Sequence, residues 1–181
     1  MLIFVDCEAW GGCPSVGQLT EFGAVSYPDR KTFHGVIIPD HRNPLLNPKT
    51  TVPKDGVEYA VFKAFEAWLG ELRPHAKRHV FVSDNPAYDW QWINDGFWRC
   101  IGRNPFGHSA RRIGDFYSGM KSDFYQTQEW KNLRVTPHTH HPVDDAMGNL
   151  EAFETLVGLC RDKKDKDLVW TALESAIERN R

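Results

Sequence analysis

Near its start the chain runs Ile3-Phe4-Val5-Asp6-Cys7-Glu8, an apolar stretch that ends in two carboxylates spaced two apart. A run of this kind reads as a strand with a buried face, and strand side chains alternate faces with a period of two. Asp6 and Glu8 therefore project from the same side of the strand end, close enough to grip a hard divalent cation. Any fold containing this segment has to bury a strand in its core and leave one end of it open to an ion.

The remaining composition narrows the setting. A chain of 181 residues, 41% of them hydrophobic, suits one globular domain spanning 1–181. No apolar run approaches the roughly eighteen residues a membrane span needs, and the N-terminus enters its first strand without a charged start or cleavage site. A soluble, cytoplasmic protein without membrane contact is the expectation. Cys7, Cys13, Cys100 and Cys160 include no pair with a two-residue spacer, so free thiols are expected rather than a zinc knuckle or a disulfide framework. A formal net charge of −2 excludes a broad basic surface that neutralises many phosphates, and suits a short or end-bound nucleic acid instead.

The order of elements gives the fold class. Segments 2–5, 19–26 and 32–38 carry β-branched and aromatic residues between turn formers and read as three consecutive antiparallel strands. Residues 39–56 hold Pro39, Pro44, Pro48 and Pro53, the chemistry of a long functional loop. Val57, Val61, Ala64, Phe65, Trp68, Leu69 and Leu72 recur at helical steps before Pro74. A short strand at 79–83 precedes a helix that begins at Pro86, with Asp89 in its first turn and Tyr88, Trp90, Trp92, Phe97 and Trp98 along it. Those aromatics suit either the core or an apolar homodimer face. Between Asn104 and Asn132 the pattern predicts a short buried strand at 111–113 and a polar helix over 122–131. Helices over 142–160, with Asp144 and Asp145 in the first turn, and over 167–179 complete the chain. The result is an α/β architecture, a mixed β-sheet flanked by helices, whose sites gather at strand ends and helix starts. Asp6, Glu8, Asp89 and Asp145 all fall there.

Four carboxylates in one cleft repel one another unless cations neutralise them, and oxygen-only ligands select Mg²⁺ or Mn²⁺ over zinc. Two such ions, about 3.5–4 Å apart, stabilise both the attacking and the departing oxygens of an in-line phosphoryl displacement. His140, five residues before Asp145, is placed to take a proton from the attacking water.

Taken in order, the motifs resemble those of a known family. Ile3-Phe4-Val5-Asp6-Cys7-Glu8, the next strand Leu19-Thr20-Glu21-Phe22-Gly23-Ala24-Val25, the segment Asn85-Pro86-Ala87-Tyr88-Asp89 and the segment His140-His141-Pro142-Val143-Asp144-Asp145-Ala146 are similar to the motifs of DEDD-superfamily 3′–5′ exonucleases. The resemblance is to the DnaQ-like, histidine (DEDDh) subtype, and it implies a ribonuclease H-like fold. It also implies that Asp6, Glu8 and Asp145 bind a first ion, that Asp6 shares a second, and that Asp89 helps to hold it. His140 becomes the general base, and Glu8 with the backbone after it meets the terminal 3′-hydroxyl. Asn85 belongs to the second motif and is expected to touch substrate. Trp10, on the loop expected after Glu8, stacks on the last base or simply packs. The implied reaction releases nucleoside 5′-monophosphates from the 3′ end of single strands. RNA is favoured, because compact members of the family trim RNA tails or degrade short oligomers, several of them as homodimers. Alternatives are a DNA-directed proofreading or repair exonuclease and a non-catalytic module that binds strand ends or a protein.

The sequence supplies rivals for several positions. His141 and Asp144 stand beside His140 and Asp145, although the family spacing favours His140 with Asp145. Asp84 competes with Asp89 but is more simply a helix cap, and Asp115 either steadies the site or caps a helix. His34, His41, His75, His79, His108 and His138 show no metal-ligand spacing with a cysteine and receive no role. Arg111, Arg112, Lys121 and Lys131 are candidates for phosphate contact or for plain solvation.

Overall fold

The computed structural model describes residues 1–37, 56–72 and 79–161. Apart from Gly56, the loop expected at 39–56 lies outside them, as does the helix expected at 167–179. Three antiparallel strands come first, β1 (Leu2–Trp10), β2 (Gln18–Tyr27) and β3 (Thr32–Val36). Helix α1 (Val57–Leu72) then leads to β4 (Val80–Ser83), and α2 (Pro86–Cys100) leads to β5 (Ala110–Arg112), with β4 parallel to both β1 and β5. Helix α3 (Ile113–Lys121), a 3-10 turn (Glu129–Leu133) and α4 (Pro142–Arg161) follow. The sheet order is β3-β2-β1-β4-β5, a mixed five-stranded sheet with helices on its faces, as the alternation of patterns predicts.

Central placement explains the composition of β1. With strands on both sides and helices above and below, Ile3, Phe4 and Val5 have no exposed surface at all. Alternation then splits the strand between two cores. Ile3, Val5 and Cys7 join Phe62, Phe65, Leu69, Trp92, Ile93 and Phe97 on the side of α1 and α2. Phe4 joins Val82, Ile113, Trp130, Ala146 and Leu150 on the side of α4. Most aromatics of α2 thus belong to the monomer's own core, and Trp98 is left half exposed.

Among the elements, the structure departs most from the sequence reading at the end of β1 and over 113–131. β1 does not end at its acidic pair but continues, paired with β2, to Trp10, so Trp10 is a strand residue and not a loop residue. Pairing with β4 stops at Phe4 opposite Val82, which leaves the far half of β1 open on one edge while β2 supports the other. The second departure is at 113–131. The helix forms over Ile113–Lys121, and the expected polar helix at 122–131 is replaced by a turn and the 3-10 segment. Ile113, Tyr117 and Met120 supply a helical stripe packed into the α4-side core, and Ser122 in the left-handed region (φ +53°) ends the helix. Among the described residues no helix is long and apolar enough to cross a membrane, and all four cysteines are free.

Candidate active site

The open half of β1 is where the carboxylates collect. Asp6 and Glu8 leave the strand on the α4 side, and Asp145 reaches them from the first turn of α4. One ligand atom from each of the three lies within 4.8 Å of the other two. The close approach depends on Gly23, the residue opposite Asp6 on β2, because a Cβ there would come within 2.3 Å of the Pro142 and Val143 backbone. Asp89 closes the group from the first turn of α2. Its Oδ1 accepts the Cys7 N–H at 3.1 Å, using a donor that lies beyond the end of the β4 pairing.

Electrostatics tests what this group fits. Burial, with the charges of Asp89, Asp84, Asp145 and Glu8, pushes Asp6 from an ordinary 3.8 up to about 9. Burial and Asp84 push Asp89 up to about 7, against the pull of the Cys7 N–H on its Oδ1. Glu8 is raised by burial, with His140 pulling the other way. Asp89 Oδ2 is buried without a hydrogen-bond partner among the described residues. Oxygen donors that cannot all ionise unaided, one of them orphaned, suit hard divalent cations.

The histidines separate clearly. His140 Nδ1 stands 3.9 Å from Glu8 Oε1, on a residue held at φ +61°. That left-handed backbone costs about 1–3 kcal/mol for a residue other than glycine, a strain common at active sites. His141 instead stands 3.7 Å from Asp144 and packs edge-on against His34. The geometry therefore pairs His140 with the Glu8–Asp145 group and leaves the rival pair together outside it. The sequence reading gave His138 no role, yet its Nδ1 lies 2.7 Å from Asp145 Oδ2 and its ring 4.4 Å from that of His140. The available signal is its spacing, two residues from His140 on a segment without regular structure, where alternate side chains can share a side. Asp145 Oδ1 accepts the Thr139 N–H at 3.0 Å, a backbone contact with no sequence signal.

Other expectations find different places. Asp84 does not cap α2, which begins with Asn85 as its N-cap and no capping side chain. Its carboxylate instead holds Lys131 Nζ at 2.8 Å and Arg134 at 3.6 Å, because the 3-10 segment and the residue that ends it bring cations to the end of β4. Asn85 is exposed beside it, its carbonyl accepting the N–H groups of Tyr88 and Asp89. Trp10 is 47% exposed. Asp115 pairs with Arg112, whose Nε also donates to the Asp84 carbonyl. Arg111 donates to its neighbour's carbonyl, and Lys121 lies over the Tyr117 ring.

Comparison with known proteins bears on the family and the fold. The chain is 30% identical over 178 residues to the 3′–5′ DNA exonuclease Cap18 of Escherichia coli, covering 91% of this chain and 95% of that one. A zinc-bound crystal structure of the E. coli ExoI–ssDNA complex matches with a TM-score of 0.53 at 13% identity, over 94% of this chain. The chain spans only 42% of that structure's length, and at such identity the likeness bears on the ribonuclease H-like fold alone. No family model matches the sequence. By its similarity to Cap18 over nearly the full length of both chains, with the acidic motifs gathered on β1, α2 and α4, the protein belongs to the DnaQ-like 3′–5′ exonucleases of the DEDD superfamily.

Proposed function

We propose that the protein is a metal-dependent exonuclease that removes nucleotides singly from the 3′ end of single-stranded DNA and releases nucleoside 5′-monophosphates. The observation that carries the reading is the meeting of Asp6, Glu8 and Asp145 within 4.8 Å, with Asp89 beside them and His140 next to Glu8. Asp6, Glu8 and Asp145 would hold one Mg²⁺ or Mn²⁺, and Asp6 with Asp89 a second. Ions there would lower the pKa of the attacking water and stabilise the charge on the departing 3′-oxygen. His140 accepts the proton that the water loses as its oxygen bonds to phosphorus and the P–O3′ bond breaks. Glu8 receives the terminal 3′-hydroxyl, Trp10 offers a face to the last base, and Asn85 borders the cleft.

We favour DNA over the RNA expected on sequence grounds, because Cap18, matched over 95% of its length, is a DNA exonuclease. The test is digestion of 5′-labelled DNA and RNA of one sequence with Mg²⁺ or Mn²⁺. A ladder shortening from the 3′ end, faster on DNA, is expected. Faster loss of RNA restores the ribonuclease reading, and no metal-dependent shortening of either strand leaves a binding module.

A further inference from the structure

The segment between α3 and α4 carries a feature that the acidic cleft does not use. Its first turn is tightly fastened: Asp123 N–H donates to the Ser118 carbonyl, the Ser118 hydroxyl donates to the Asp123 carbonyl, and Tyr125 N–H donates to Asp123 Oδ1. Farther along, Trp130 Nε1 donates to the Thr127 carbonyl. This fastened turn nevertheless holds Phe124 and Tyr125 out in water, 86% and 93% exposed, with ring centroids 6.3 Å apart. Two large rings fixed so far from any core are unusual on a surface that serves only solvation.

The same segment then turns basic. Trp130 is buried, and Lys131 Nζ and the Arg134 guanidinium lie 5.9 Å and 5.3 Å from its ring centroid. Both cations converge on Asp84, which follows Val82 by two positions as Asp6 follows its β4-paired neighbour Phe4, so Asp84 lies level with Asp6 at the edge of the sheet's open end. They therefore stand at the rim of the acidic cleft. Arg134 is 11% exposed and also bonded to Asn149, so it acts as a fixed support. Lys131 is 38% exposed and has donors left over after Asp84 takes one. Lys131 follows Tyr125 by six positions and Phe124 by seven, so the backbone of the aromatic pair lies at most about 25 Å from that of the lysine.

We propose that residues 124–134 form the track for the strand upstream of the cleaved end. Lys131 takes a backbone phosphate near the cleft, and Phe124 and Tyr125 stack on bases farther from the 3′ end. A cation followed by exposed rings matches the alternation of phosphate and base along one strand, and base stacking tolerates any sequence. Local cations are also what a chain of net charge −2 needs to bring a polyanion to an acidic cleft. The proposal rests on the single-strand reading above.

The test is fluorescence anisotropy of a 5′-labelled DNA dodecamer and a labelled dinucleotide, with Ca²⁺ replacing the catalytic ion. Phe124→Ala/Tyr125→Ala is expected to weaken dodecamer binding about tenfold or more and to leave the dinucleotide unchanged, while Phe124→Trp/Tyr125→Trp retains binding. Lys131→Gln should reduce the slope of log Kd against log salt by about 0.7, a change that a merely structural role would not produce. Equal dodecamer affinities and equal salt slopes in all forms overturn the track, as does a wild-type protein that binds no dodecamer. If no metal supports cleavage yet the variants still lose dodecamer binding, the exonuclease reading fails and the track stands.

Discussion

The two faces of β1 are built from one strand and do opposite work. On the α1–α2 side, Ile3, Val5 and Cys7 enter a sealed core in which Phe65 touches the rings of Phe22, Phe33, Trp68, Phe97 and Phe106. On the α4 side, Phe4 is followed by Asp6 and Glu8, and apolar packing gives way to mutual repulsion. Burial thus stabilises one face and destabilises the charged form of the other. The sealed face keeps the strand rigid, and that rigidity holds like charges together until cations arrive.

The largest break in this contrast is expected from Asp6→Asn. It removes the acid common to both proposed ions, and losing several kcal/mol of transition-state stabilisation corresponds to about 10³-fold or more in kcat. The metal-free variant should melt no lower than the wild type, since the cost of holding a proton on Asp6 above its ordinary 3.8 has gone. A variant that keeps its rate, or that unfolds, contradicts the division of labour. On the sealed face the effect reverses. Phe65→Ala should cost about 3–5 kcal/mol of stability and lower Tm by roughly 10 °C, while the folded fraction keeps its metal affinity. Thermal melting and Mn²⁺ titration of the two variants side by side sharpen the comparison.

A third test uses pH. Folded, metal-free protein holds protons on Asp6 and Asp89 more tightly than the unfolded chain does, with values near 9 and 7 against an ordinary 3.8. Stability from these groups is fully present below 3.8 and is lost as pH rises, up to about 7 for Asp89 and about 9 for Asp6. With chelator present, Tm should fall between about pH 5 and 8, and added Mn²⁺ should raise Tm most at the upper end. A metal effect that shrinks with rising pH contradicts the account. The smallest expected effect belongs to His138→Ala. Thr139 N–H already orients Asp145, so this variant should lose under about tenfold in rate, against roughly 10²–10⁴ for His140→Ala.

Much of this layout is legible in the sequence because it follows from periodicity. The period-two alternation of β1 locates Asp6 and Glu8, Pro86 fixes the start of α2 and hence Asp89, and Pro142 does the same for α4 and Asp145. What periodicity does not encode is contact between segments distant in the chain. Asp84 reads locally as a cap, and only the arrival of the 3-10 segment turns it into the anchor for Lys131 and Arg134. His138 offers only its two-residue spacing from His140 for a similar reason, since its contact with Asp145 depends on an irregular segment that carries the left-handed His140. Gly23 is another such case: only the structure explains it, through the approach of α4 to β2.

The most direct test of the central claim is a Mn²⁺ titration followed by electron paramagnetic resonance, comparing the wild type with Asp6→Asn and Asp89→Asn. The account predicts two bound ions in the wild type, one in Asp89→Asn and severely weakened binding in Asp6→Asn. Unchanged Mn²⁺ binding in both variants would contradict it, because the carboxylates on the open face of β1 and at the start of α2 would then not be the metal site.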